Sequence, residues 1–372
     1  MVAGTAGSVW GRAEQQDFRS RVRGTLLGAA VGDALGAPLD GGSTEGIREQ
    51  CGAEGLIDLA PAYGRRGAVT YLTQLTLFTV DGLIRAQVRR DTGAWHPPTD
   101  LHRAYRRWAA TQTDWGPDER RKDDGWLARE EWLYARRGAS AACLTGVGDE
   151  VMGTLDAPKN PTELGGEAAV RAAPLGLLVG WEPQLVVQLA VEGAAQTHGH
   201  PTAYLAAGAY AVILHGLARG ESPDAAVRRA LALLGQRPGH QPVTDGLRHA
   251  LGAVRQGMPT AVRVAELVGA GTAAEVLAAA VYCALVSEDV RHGLVLSVAH
   301  GGPSSTTGAL TGALLGALHG ETALPPAWLA ELEGRATMLL LADDFAMEMT
   351  QGTALHGPGG SSAGWLGRYP RS

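Results

Sequence analysis

Residues 21–36 read RVRGTLLGAAVGDALG, and Ala37-Pro38 follow. Apolar side chains recur at helical spacing with small residues between them, and the run stops at Gly36-Ala37-Pro38. The stretch predicts a buried helix with a glycine-rich end. Outward from it, a second helix is predicted from about Gln74 through LTLFTVDGLIRAQVRR, with Leu75, Leu77, Phe78, Leu83 and Ile84 forming most of one apolar face after a Thr-rich turn.

Apolar periodic stretches recur at 166–180, 183–195, 201–219, 223–236, 243–256, 271–287, 306–319 and 326–350, and all read as helices. The stretch 91–159 is more polar, carries Pro97-Pro98 and the charge run DERRKDDG (118–125), and reads as a solvated loop joining helices. No segment shows sustained apolar–polar alternation between hairpin turns, and no fixed repeat period recurs. The fold class expected is all-α. One domain is drawn over 18–356, with a flexible segment at 1–17 and a C-terminal tail at 357–372 docked through Trp365 and Tyr369.

Composition narrows the function classes. Of 372 residues 45% are hydrophobic and 19% charged, enough for a large core, and 52 glycines within apolar runs suggest close packing of small residues. A formal charge of -6 argues against general attraction to nucleic acid or anionic lipid. No basic, apolar and cleavable leader stands at the N-terminus and no run of 18 apolar residues is found, so no membrane partner is expected. Cys51, Cys143 and Cys283 are distant and odd in number, without C-x-x-C spacing, which fits a reducing cytoplasmic setting and no zinc site.

Paired carboxylates on a helix face, a G-x-S-x-G elbow, a P-loop and H-E-x-x-H are all absent from the sequence. Two turns feeding long helices stand out: VTYLTQLTLF around Thr70 and AHGGPSSTTGALTGALLGALHG from Ala299. Each places hydroxyls and free amides at a helix start. With RGTLLGAAVGDALGAPLD (23–40), YGRRGAVTYLTQLTLFT (63–79), QTHGHPTA (196–203) and HGGPSSTTGALTGALLGALHG (300–320) in order, the chain resembles the ADP-ribosylglycohydrolase family. LAREEWLYARR and AVYCAL between them add to the likeness, which covers nearly the whole chain.

The resemblance implies a single compact orthogonal helical bundle around a cleft that holds two Mg²⁺ ions and positions ADP-ribose for removal from an acceptor. The family's first metal motif, Thr-Asp-Asp-Thr, stands here as Thr70-Tyr71-Leu72-Thr73. The second, Gly-Asp-Ser-Asp-Ser/Thr, stands as Gly302-Pro303-Ser304-Ser305-Thr306. All four carboxylates are gone. Hydroxyls of Thr70, Ser305 and Thr306 make a poor cage for Mg²⁺, which wants carboxylates. Four inner-shell losses should cost roughly 10⁴-fold or more in affinity. No bound metal and no other cofactor are expected, and Tyr71 and Leu72 should fill space where ions and ribose would lie.

The resemblance also makes Asp40 the weak candidate for a catalytic carboxylate, in the place of a family Glu, and makes Asp33 structural. It matches Leu164–Arg171 loosely to a loop whose amides approach a diphosphate, which nominates Gly165 and Gly166, although Glu167 would oppose an anion there. His198 matches a family histidine at the cleft. Gly301, Gly302, Ser304 and Thr306 complete the candidate ligand-binding set, with Arg65 and Arg66 as outlying phosphate contacts. His200 reads as a helix-start residue and His300 as a structural one.

Three functions compete. The first is a non-catalytic family member, a pseudoenzyme that binds ADP-ribose or a related nucleotide or regulates a protein partner; it needs an open cleft with the Gly loop and His198 available. The second is a metal-independent hydrolase or glycosidase using Asp40, which needs a cleft that Tyr71 does not fill. The third is a structural protein with a closed pocket.

Overall fold

In the computed structural model the described residues are 10–52, 54–90, 92–121, 124–356 and 363–371. They form eighteen helices: α1 (Arg12–Gly36), α2 (Thr44–Cys51), α3 (Tyr71–Arg90), α4 (Pro97–Thr113), α5 (Ala141–Gly148), α6 (Glu167–Val170), α7 (Ala173–Gly176), α8 (Pro183–Ala195), α9 (Pro201–Ala218), α10 (Pro223–Leu234), α11 (Gln241–Ala253), α12 (Ala261–Val268), α13 (Ala273–Val286), α14 (Val290–Val298), α15 (Ser304–His319), α16 (Pro326–Glu331), α17 (Arg335–His356) and α18 (Ala363–Arg368). The sole sheet among the described residues is a two-residue hairpin, Pro61–Ala62 against Arg65–Arg66. The class is all-α, as the periodicity predicts.

Gly24, Gly28, Gly32 and Gly36 fall every fourth residue and so share one face of α1. Ser304, Gly308, Gly312 and Gly316 do the same on α15. The two faces meet antiparallel: a methyl group added at Gly24, Gly28, Gly32 or Gly36 would overlap the carbonyl of Gly316, Gly312, Gly308 or Ser304, respectively. Backbone therefore lies directly on backbone along four turns. Such a seam holds its two helices at one distance and one register, because any side chain would push them apart.

Several boundaries differ from the sequence reading. Helix α1 begins at Arg12, ahead of the boundary drawn at residue 18, while residues 1–9 lie outside the described residues. Pro97-Pro98 is no loop marker but the first turn of α4, where a proline lacks only an amide that has no partner anyway. That helix buries Leu101, Tyr105 and Trp108. Helices α12 and α14 were not foreseen, and 326–350 is broken between α16 and α17 at Gly334, whose φ is +69°. In the C-terminal stretch Trp365 and Tyr369 are buried, with Trp365 Nε1 donating to Glu348 Oε2 at 3.0 Å and Tyr369 Oη to Asp344 Oδ2 at 2.6 Å; 357–362 lie outside the described residues.

By length and mean hydropathy alone α9 could cross a bilayer, but 89% of it is buried inside the fold, as befits a central core helix. On it, His215 is fully buried near Arg229 and Arg219, and burial with those charges pushes its imidazole down to about 4. The unfolded chain then binds the proton more readily, so stability is lost as pH falls from the ordinary 6.5 through about 4. The loss amounts to about 3 kcal/mol. Denaturant melts of His215→Gln across pH 4–7 should show a flatter acid side than the parent, and parallel curves would refute the assignment.

Candidate functional site

The site grows from the end of α1 and the heads of two helices. Asp33, fully buried on α1, reaches the head of α3: its Oδ2 accepts from Thr70 N at 2.9 Å, Thr73 N at 3.3 Å and Thr73 Oγ1 at 2.5 Å. Thr70 Oγ1 in turn accepts from Leu72 N at 3.1 Å. Burial pushes Asp33 up to about 7, against the pull of these hydrogen bonds. Seven residues on, Asp40 accepts from Ser305 N at 2.8 Å, at the first turn of α15. Its side chain keeps an exposed flank. The protein crowded round Asp40 still raises its carboxyl above the ordinary value, while contacts to Ser305 and Ser304 lower it.

Behind the heads runs a closed polar chain. Tyr71 is 7% exposed, packs at 6.3 Å from the Trp108 ring and sends its hydroxyl toward Glu167 Oε1 at 3.5 Å. Glu167 Oε2 meets His198 Nε2 at 3.1 Å, and His198 Nδ1 meets Thr197 Oγ1 at 2.7 Å. Arg171 Nη2 donates to that same Thr197 oxygen at 2.6 Å and to Gly193 O at 3.1 Å, with its guanidinium 4.7 Å from the Tyr105 ring centre. Arg171 can only donate, so the Thr197 hydroxyl oxygen is an acceptor toward it and joins the guanidinium to the His198 ring. Burial alone would raise Glu167, but the His198 ring beside it leaves the carboxyl below its ordinary value.

The amides nominated as ligand contacts have partners inside the chain. Gly165 N donates to Glu163 Oε1 at 3.1 Å, Gly301 N to Thr44 Oγ1 at 3.1 Å and Gly302 N to Gly42 O at 3.0 Å. Gly166 is buried against Val276 and Thr306, and the Ser304 hydroxyl donates to His300 O at 3.1 Å. His200 caps α9 by accepting from Thr202 N at 3.2 Å. Arg65 and Arg66 turn away to carboxylates, Arg65 to Glu333 and Arg66 to Glu331 and Asp58. Glu163, Thr44 and Gly42 escaped the sequence reading; Glu163 was legible only as an acid two residues before Gly165.

A model of the ADP-ribosylglycohydrolase family matches residues 14–354. The chain belongs to that family. A solved structure described as an ADP-ribosylglycohydrolase-related protein complex is 27% identical, with a TM-score of 0.61 over 90% of this chain and 100% of the other. No curated protein matches the sequence.

The family's metal pair can now be tested against the donors present. Where its motifs carry four carboxylates, this member offers a phenol at Tyr71, a hydrocarbon at Leu72, a ring without donor at Pro303 and a hydroxyl at Ser305, all but Pro303 buried. Among the described residues no three His, Cys, Asp or Glu side chains are grouped to hold an ion. Two dications close together need carboxylates between and around them. The donor set does not fit the pair.

Proposed function

We propose that this chain is a non-catalytic member of its family, a structural pseudoenzyme with a closed cleft that does not turn over ADP-ribose. The observation that carries the reading is Tyr71, which stands where a family metal ligand stands and is buried between Trp108 and Glu167. Of the three readings weighed from the sequence, the ADP-ribose module requires His198 and the Gly loop to be available. His198 is 0% exposed with both ring nitrogens engaged, and the loop faces Glu163 and Glu167, whose charges oppose a diphosphate. The metal-free hydrolase requires a cleft that Tyr71 does not fill.

Calorimetric titration of the purified chain with ADP-ribose, with and without excess Mg²⁺, tests the proposal, with hydrolysis of an ADP-ribosylated peptide followed alongside. Neither heat nor product is expected. Mg²⁺-dependent turnover refutes the proposal; heat without product in the absence of Mg²⁺ replaces it with the binding module.

A further inference from the structure

We infer that Asp33 and Asp40 organise the two motif helices, Asp33 at the head of α3 and Asp40 at the head of α15, and that they do so without a divalent cation. The inference rests on the proposal above in one respect, the reading of positions 71, 72, 303 and 305 as eroded ligand sites. Its geometry is independent of activity.

The two carboxylates leave the same end of α1 in opposite service. Asp33 Oδ2 gathers three donors from Thr70 and Thr73, the residues that bracket Tyr71 and Leu72. Asp40 Oδ1 takes the amide of Ser305, itself one of the eroded positions. An oxygen acceptor on the free amides of a first helical turn is what a helix start requires, and a negative one also suits the helix dipole. The third fixed point is the seam, since Gly36 lies against the Ser304 carbonyl and locks the end of α1 to the start of α15. The loop between them is closed as well, by Gly41 N to Gly302 O and Gly302 N to Gly42 O, both at 3.0 Å. Asp40, the place of a catalytic carboxylate by resemblance, is thus a positioning residue for α15.

Two measurements on the full chain test this. The first is the thermal midpoint in excess Mg²⁺ and in EDTA, where a resident ion raises the midpoint as it saturates the folded state. The midpoints are expected to coincide. The second is amide hydrogen exchange at Ser305 in Asp40→Ala and Asp40→Asn; the exposed flank of Asp40 means that neither leaves a buried hole. Removing the acceptor should lower protection of that amide about tenfold, as loss of a cap does, while Asn, which keeps an acceptor oxygen, should retain most of it. A midpoint raised by Mg²⁺, or Ser305 protection unchanged in Asp40→Ala, overturns the inference. The outcomes separate it from the proposal: product with a metal-indifferent midpoint refutes the proposal and leaves the carboxylates in place, whereas a metal-raised midpoint without product does the reverse.

Discussion

Gly32→Ala is expected to destabilise the chain by about 3 kcal/mol or more, at the upper end of what an added methyl group costs in a packed core. The new Cβ would overlap the Gly308 carbonyl, and no flexible side chain stands there to yield, because both surfaces are backbone. Helix propensity works the other way by about 1 kcal/mol and is overwhelmed. Gly252→Ala supplies the contrast. That glycine lies near the end of α11 with nothing within 4 Å of an added Cβ, so alanine there should be neutral or slightly stabilising. Urea unfolding of both variants measures the difference, and a Gly32→Ala loss below about 1 kcal/mol would mean that the helices separate without cost. Gly32→Ala and Gly308→Ala combined should fall short of additivity, since one displacement of the seam accommodates both.

Arg171→Met should cost about 3–5 kcal/mol, the range seen when one member of a buried charged network is removed. Arg171 is 1% exposed, and methionine fills much of its volume, so the loss is electrostatic and not a cavity. The Thr197 hydroxyl and the Gly193 carbonyl lose their donor, and Glu167 loses the positive charge that helps keep it ionised. Arg171→Lys should recover little, because an ammonium cannot bridge the two acceptors and lie flat on Tyr105. Stability within about 1 kcal/mol of the parent in Arg171→Met would show that the Tyr71–Glu167–His198–Thr197 chain holds without it.

The parts of the molecule legible in sequence are those whose physics is local. That no carboxylate stands at positions 71, 72, 303 and 305 can be read one residue at a time, and so can the apolar face of α3. The four-residue spacing of Gly24, Gly28, Gly32 and Gly36 is equally plain, yet it says only that a narrow face exists and not that α15 meets it. The cap roles of Asp33 and Asp40 are hidden for the same reason, since their acceptors' donors lie 37 to 40 and 265 residues away. Helix α4 is missed because a Pro-Pro pair reads as a breaker unless it opens the helix. The sealed state of His198 depends on Glu167 and Arg171 together, and neither announces by type which way it faces.

The seam of α1 on α15 joins residues 268 (Gly36 to Ser304) to 292 (Gly24 to Gly316) positions apart in the chain. Closing so long a loop makes it a late event in folding, and its apolar helix α1 must wait for its counterpart. At roughly 5–20 residues per second, synthesis leaves α1 without α15 for about 15–60 s. For that interval the glycine face of α1 is without its counterpart, and a nascent chain halted before α15 lacks the seam.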